Sequence, residues 1–457
     1  MSELVVRDAV ADAQATGDVL GAVQSLSSVY CLSWPYDDQV GRLAERLGIA
    51  PTHRAVSGMS GTSTQALLLG AAEHIIAGEV DVAVVAGAEA LDTKKRLKRA
   101  GERPAWSHRA QPAPPAPFEW PFHPAEIAHE VFQAYLTFAL RDTARRSRMG
   151  TSPGERRDDI GALLAPMTMV AADNPHAWDP TVRTGTEIMT PTPENRMVAT
   201  PYPKHSISIM DVDMGGALII ASHEAANRLD VPQDRRVYLR GWAEADDAHY
   251  VAEHPDLSRS PAMAWCARHA LAHAGASAED LSYLDLYSCF ASSIDFALDA
   301  LGLTGRLGGR DVTVTGGLPF SGGAACNYMA HSIATMAERL RGDPGTLGLT
   351  TGVGMHMTKH SWAVWGSDPG RAMSPGSAPP AQTVPILDTW SGLATIATYS
   401  VLYDRTGPTS GLAICDVDGG RTYARSTDPD VLAAWEAEEW CGRAVTLRTA
   451  DGVNQIA

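Results

Sequence analysis

Basic residues are scarce in this chain. It carries 37 Lys and Arg against 53 Asp and Glu, a net charge of −16 over 457 residues. Phosphate backbones need basic surface, so this balance excludes DNA or RNA as a main partner. Clustered cysteine is absent as well. The six cysteines (Cys31, Cys266, Cys289, Cys326, Cys415, Cys441) form no CxxC pair or ligand cluster, so no metal site is expected. A chain of this length needs no disulfide staple, and reduced thiols in a cytoplasmic protein are the simplest expectation. No apolar run reaches the about 18 residues needed to span a membrane. The opening MSELVVRDAVADA reads as an amphipathic helix and lacks the apolar core of a signal peptide.

What is present is an alternation of helices and apolar strands. Residues 4–26 read as mostly helix, Val29–Leu32 as a short strand, and 38–48 as a helix closed by Gly48. The turn SGMSGTST at 57–64 leads into a helix whose Leu68, Ala72, Ile75 and Ile76 fall at helical spacing. VDVAVVAG (80–87) and ALIIAS (217–222) suit strands buried on both faces. Between them, about 100–205, lies a long insertion, rich in proline and aromatics at 101–124, helical at 125–147 and read as loop over 150–205. An insertion of this kind is expected to be a functional loop region. RVYLRGWAEA (236–245) opens a new β segment, followed by a helix at 260–276. Residues 316–354 then repeat the pattern of 57–87: GGLPFSGGAA, a helix faced by Met329, Ile333, Met336 and Leu340, a GDPG turn, and TLGLTTGVG. Residues 367–382 have linker composition, and beyond them short strands broken by Asp/Gly turns predict a small barrel.

In these motifs the chain resembles the thiolase superfamily, and most nearly its thiolase-like type 1 proteins, which are acetyl-CoA acetyltransferase-like. GTSTQALLLGAAEHIIAGEVDVAVVAGAEA (61–90) looks like the helix and strand after the thiolase nucleophile. DLYSCF (285–290) sits where thiolases carry NEAF or HDCF, GGLPFSGGAA resembles the GGHP motif, TTGVGM (350–355) resembles the CxG strand, and HPAE (123–126) resembles the family's loop region. The resemblance covers residues 5–366 in order. It implies a duplicated α/β fold layered α/β/α/β/α, with halves at 1–229 and 230–366, a linker at 367–382 and an OB-like β domain at 383–457. Family members open with a strand before the first helix; this chain begins at the helix.

The resemblance also shows what chemistry is missing. Thiolases attack with a cysteine thiolate at a helix N-terminus. The matching position here is Ser60 or Gly61. Leu318 replaces the histidine of GGHP, and Gly352 replaces the cysteine of CxG. Losing any one of these groups costs orders of magnitude in rate, so conventional thiolase chemistry is not expected. Tyr287, Cys289, Tyr328 and His360 are the candidate site residues that remain, with Tyr328 and His360 as a candidate acid and base. Each has a plainer structural reading, as packing tyrosines, a buried thiol and a structural histidine. Ser288, Cys326, Asn327, His331, His356 and Lys359 also lie in or beside the motifs.

The resemblance implies an acyl-CoA-handling protein of lipid metabolism. It would have no tightly bound cofactor, CoA or acyl-CoA as ligand, a CoA-linked small molecule as partner, and a monomeric or homodimeric state. The alternatives are a non-covalent aldol or retro-aldol carbon–carbon lyase, for which thiolase-like aldolases use an OB-fold partner protein, and a non-catalytic CoA-binding protein.

Overall fold

The computed structural model describes residues 1–117, 122–370 and 376–456. The end of the proline- and aromatic-rich stretch at 118–121 and part of the expected linker, 371–375, lie outside them. The first half contains β1 (Ser25–Ser28), β2 (His53–Val56), α1 (Ser63–Ile76), β3 (Val82–Ala90), α2 (Leu91–Arg99), α3 (Ala134–Met149), α4 (Pro153–Asp173) and β4 (Asp213–Ala221). Its sheet runs β2–β1–β3–β4; β1 is parallel to both neighbours and β4 is antiparallel to β3. Val82 to Ala86 are fully buried, as a valine-rich run covered on both faces requires. The second half contains β5 (Tyr238–Asp246), α5 (Pro261–Ala274), β6 (Leu281–Asp285), α6 (Ala291–Leu301), α7 (Tyr328–Gly342), β7 (Leu347–Gly354) and β8 (Lys359–Gly366). Its sheet runs β5–β8–β7–β6, with β8 antiparallel to β5 and β7, and β6 parallel to β7.

The two sheets are copies, and the copy is incomplete. The antiparallel pair β3/β4 corresponds to β7/β8, but β8 carries β5 on its far side while β4 has no further strand among the described residues. The helix Ser2–Asp12 packs against β4 and β3. Helices α1 and α7 pack together between the sheets. Gly216 on β4 permits this closeness: a Cβ there would lie 2.8 Å from the Ala330 Cβ of α7.

Two elements differ from the sequence expectation. The first helix ends at Asp12, and the first strand is Ser25–Ser28, which begins inside the stretch expected as helix (4–26) and ends before Val29–Leu32, expected as strand and not one. Its four residues are all buried, and serines are small enough for the middle of a parallel sheet. Residues 153–173, expected as loop, form a helix with a Ser152/Glu155 capping box. Pro166 lies inside it. A proline removes one backbone donor, but Ile160, Leu164, Met167 and Ala171 bury the helix deeply enough to hold it.

The tail comprises β9 (Gly392–Tyr403), β10 (Pro408–Val417), β11 (Gly420–Ser426), α8 (Pro429–Ala437), β12 (Ala444–Ala450) and β13 (Val453–Ile456). It closes as β9–β10–β11–β13–β12–β9, a five-stranded OB-like barrel. Period-two alternation sorts its side chains. Ala413 and Cys415 join the barrel interior around Tyr399 and Trp435. Leu412, Ile414 and Tyr423 face outward and pack on Leu136, Leu140, Val251 and Leu257 of the main body. The body also supplies a strand, Met197–Ala199, that pairs with β9 at Leu402.

Helix α3 joins these parts with buried charge. Asp142 and Arg156 form a bidentate pair at 2.9 and 2.7 Å, and Arg156 also reaches Asp295 at 2.6 Å. Arg145 pairs with Asp299, and Arg146 donates to Tyr399 of the barrel at 2.8 Å. Arg141, fully buried, donates to the Leu257 and Arg259 carbonyls and to Nδ1 of His254 at 2.8 Å. His254 must therefore be neutral, and burial beside that guanidinium depresses its pKa well below the usual value.

A second interface carboxylate has the opposite character. Glu126 is 2% exposed, accepts from the His123 backbone at 3.1 Å and from Tyr423 Oη at 3.2 Å, and is pushed up to about 7 by burial, with Glu253 adding repulsion. The folded state thus binds this proton more tightly than the unfolded chain. Stability is fully present below the unfolded carboxylate pKa and falls as pH rises toward 7. Glu126→Gln should remove this slope and gain roughly 1–3 kcal/mol at pH 8. Urea denaturation at pH 5 and pH 8 measures it; an unchanged pH dependence in the variant would refute the assignment.

Candidate active site

The glycine-rich turn before α1 is held from both sides. Ser63 Oγ donates to the Gly58 carbonyl at 2.9 Å, and Ser60 Oγ and Thr62 Oγ1 bond at 2.7 Å. The first turn of α1 then reaches into the other half. Thr64 Oγ1 donates to the Cys326 carbonyl at 3.1 Å, Gln65 Nε2 to Ser361 Oγ at 3.0 Å, and Thr350 Oγ1 to Gln65 Oε1 at 2.7 Å. In return, Asn327 Nδ2 donates to the Gly87 carbonyl at 2.9 Å. The turn at 57–62 and the end of GGLPFSGGAA are thereby brought together.

At their meeting point the expected nucleophile positions face different ways. Gly61 faces Tyr287: a Cβ built on it would overlap both Tyr287 Oη and the Val353 carbonyl oxygen. Ser60 turns toward Gly354, where a Cβ would strike its Oγ. Gly352 faces Thr62, with 3.3 Å between a built Cβ and Thr62 Cα. Tyr287 therefore fills the space that a side chain at position 61 would need. Its backbone N–H is anchored on Thr351 Oγ1 at 2.9 Å, and its ring meets Tyr328 edge to face at 5.5 Å. Leu318 is buried, its N–H donating to Ser288 Oγ at 3.0 Å and its carbonyl accepting from Ile209 at 3.1 Å.

The remaining candidates fall in separate surroundings. Tyr328 is fully buried and bonds Thr315 Oγ1 at 2.7 Å and Asp285 Oδ1 at 3.0 Å. Burial and that carboxylate raise its pKa well above a normal phenol. Asp285, missed at the sequence level, also accepts from Thr313 Oγ1 and the Val314 N–H. His360 bonds Asp247 through Nε2 at 3.1 Å, beside Ser260. Strand alternation puts it on the face of β8 opposite Lys359 and Ser361. Among the described residues Tyr328 and His360 share no hydrogen-bond partner. Burial pushes the Cys289 and Cys326 thiols up to about 12, far from the thiolate range a nucleophile needs. His331 and His356, likewise enclosed, are held down to about 4. Among the described residues no group of three or more His, Cys, Asp or Glu could hold a metal ion.

An open cleft of about 380 Å³ lies beside this centre, lined by Ser57, Ser60, Thr62, Glu244, Asp246, Lys359 and the otherwise buried His360. Glu244 keeps accessible surface at the mouth while protein surrounds its carboxylate on most sides, which pushes it up to about 6. The signal in the sequence is the i, i+2 acidic pair of GWAEAD, which puts two carboxylates on one strand face.

The packing around Gly61 is testable. Gly61→Ala should destabilise by about 1–3 kcal/mol through overpacking, whereas Gly70→Ala, in open space on α1, should be neutral or stabilise. Gly61→Cys should form no acyl-enzyme, since its side chain would meet both Tyr287 and the Val353 carbonyl. Thermal unfolding and intact mass after incubation with acetyl-CoA check both; an acylated Gly61→Cys single variant would contradict the geometry.

Comparison with solved structures agrees with this architecture. The chain superposes on a monomeric SCP2-thiolase like protein type 1 from Mycobacterium smegmatis with a TM-score of 0.86 and 28% identity, covering 100% of this chain and 95% of that one. Two further likenesses show the fold alone. Human mitochondrial 3-ketoacyl-CoA thiolase gives 0.56 at 15% identity (80% of this chain, 91% of that one), and the Ltp2-ChsH2(DUF35) aldolase gives 0.54 at 18% (76% and 87%). No protein-family model and no curated protein matches the chain. The chain is a thiolase-superfamily protein, a thiolase-like fold with a C-terminal barrel domain.

Proposed function

We propose that the protein handles a CoA-linked ligand, CoA or an acyl-CoA, without forming an acyl-enzyme. The observation that carries this reading is Tyr287 occupying the space beside Gly61, with Leu318 and Gly352 at the other two motif positions. A covalent route would need a nucleophile near a base, and the nearest thiols, Cys326 buried and Cys289 partly buried, are held protonated. The ligand class rests on the likeness of the fold to thiolases, which is an analogy and not a site argument. Isothermal titration with CoA and acetoacetyl-CoA should show saturable binding. Intact mass should show no adduct on Cys289 or Cys326, and no CoA should be released. A trapped acyl group on either thiol would overturn the reading.

One observation favours a second reading, a carbon–carbon lyase that forms no covalent intermediate. Tyr287 and Tyr328 lie in contact, Tyr328 is backed by Asp285, and the fold resembles an aldolase named with a DUF35 component. Under that reading Tyr328→Phe abolishes retro-aldol cleavage of a β-hydroxyacyl-CoA while leaving CoA binding intact. Under the first reading it changes neither, because no cleavage occurs in the parent protein.

A further inference from the structure

The acidity of the chain has one conspicuous interruption. Residues 94–103 read KKRLKRAGER, six basic residues and one acid. Most of them lie on α2. Spacing of four puts Lys94 beside Lys98 and Lys95 beside Arg99 on one broad face. Part of this charge is spent locally: Lys95 pairs with Asp211, and Arg96 with Asp92. Lys98, Arg99 and Arg103 are exposed and have no ion pair among the described residues. Lys94 is exposed as well; its ammonium interacts with the Glu89 carboxylate and lies 3.4 Å from the Leu32 carbonyl. That contact joins the strip to an aromatic corner two residues on, where Trp34 meets Trp106 edge to face at 5.4 Å and Arg109 lies over the Trp34 ring at 5.6 Å.

The strip is coupled to the motif centre through one loop. Leu91 N–H donates to the Val212 carbonyl at 3.0 Å, and the Thr93 N–H to Asp213 Oδ1 at 3.0 Å. Upstream in the same loop, Ser208 N–H donates to the Cys289 carbonyl and Ile209 N–H to that of Leu318, both at 3.1 Å. Ile209 and Asp213 are four residues apart, so the first turn of α2 lies within about 14 Å of the segment covering Leu318. A ligand with a long flexible arm could keep its acyl end near the motifs and its charged end on the strip.

We infer that Lys94, Lys98, Arg99 and Arg103, with the partly exposed Trp106 nearby, hold the phosphate groups at the nucleotide end of the ligand. This rests on the reading of the protein as a binder of CoA-linked molecules and gives that ligand's phosphates a location. Guanidinium and ammonium groups supply charge-assisted hydrogen bonds to phosphate, and the partly exposed Trp106 indole, propped on buried Trp34, offers an apolar surface to the base. A cationic strip on a strongly acidic protein would also attract a polyanion against the net repulsion of the whole.

Calorimetry with CoA, with adenosine 3′,5′-bisphosphate and with pantetheine tests the assignment on the full chain. In Lys98→Glu/Arg99→Glu the affinity for CoA and for the bisphosphate should fall about tenfold or more, with pantetheine binding unchanged and the loss shrinking as salt is raised. Arg448→Glu, an exposed basic residue on β12, should bind as the parent does. If the double variant binds CoA as tightly as the parent, the strip is not the phosphate site while the CoA reading stands. If both variants weaken equally, only net charge is at work and the assignment falls. If the parent binds no CoA at all, the reading and this inference fall together.

Discussion

The architecture turns on the grip of one helical turn. Thr64 and Gln65 open α1 and bond to Cys326, Ser361 and Thr350, residues some 260 to 300 positions later in the chain. These contacts are fully buried, where an unmade hydrogen bond costs more than a made one contributes. Pulling the halves this close explains why glycine stands at so many contact points. Gly61, Gly87, Gly216, Gly352 and Gly354 each face an atom from a distant part of the chain at a distance that leaves little or no room for a side chain. The same closeness makes the meeting point of the motifs part of the core. With no side chain at position 61, the Tyr287 ring fits against Gly61 and the seam closes over it.

The barrel is bound to the body by a different kind of contact. Here apolar packing of Leu412, Ile414 and Tyr423 is combined with buried arginines of α3 whose every charge has a partner or a carbonyl. Buried ion pairs add little net stability, but breaking one strands its partner, so they set the geometry more firmly than they strengthen it. OB-type barrels commonly bind ligands on the face of their second and third strands. In this chain the outward residues of β10 and β11 lie against the body, so that face is already filled.

Much of the fold was legible in the sequence because it is written in repeated local patterns. The echo of 57–87 in 316–354, the buried valine run and the Asp/Gly-punctuated tail all reflect periodicity or turn chemistry that acts over a few residues. The strand at Ser25–Ser28 was not legible, since four residues of SLSS carry no β preference and gain their place from neighbours. Helix α4 was obscured by Pro166 and by burial on several faces, which blurs amphipathic spacing. At the candidate site the missing cysteines and histidine could be read directly. The role of Tyr287 could not, because it depends on where Gly61 points, and direction at a glycine is a tertiary property. The separation of Tyr328 from His360 likewise follows from strand alternation on β8, which a one-residue shift would reverse.

The strand Met197–Ala199, laid against β9, has a consequence for how the two modules behave in the cell. A separate small partner must find its target by diffusion and leaves again when diluted. A barrel carried on the same chain, and hydrogen-bonded into its neighbour's sheet, is present at a fixed one-to-one ratio. Its effective concentration at the docking face is set by the tether and not by expression level. Docking can then be made of individually modest contacts without the pair ever coming apart.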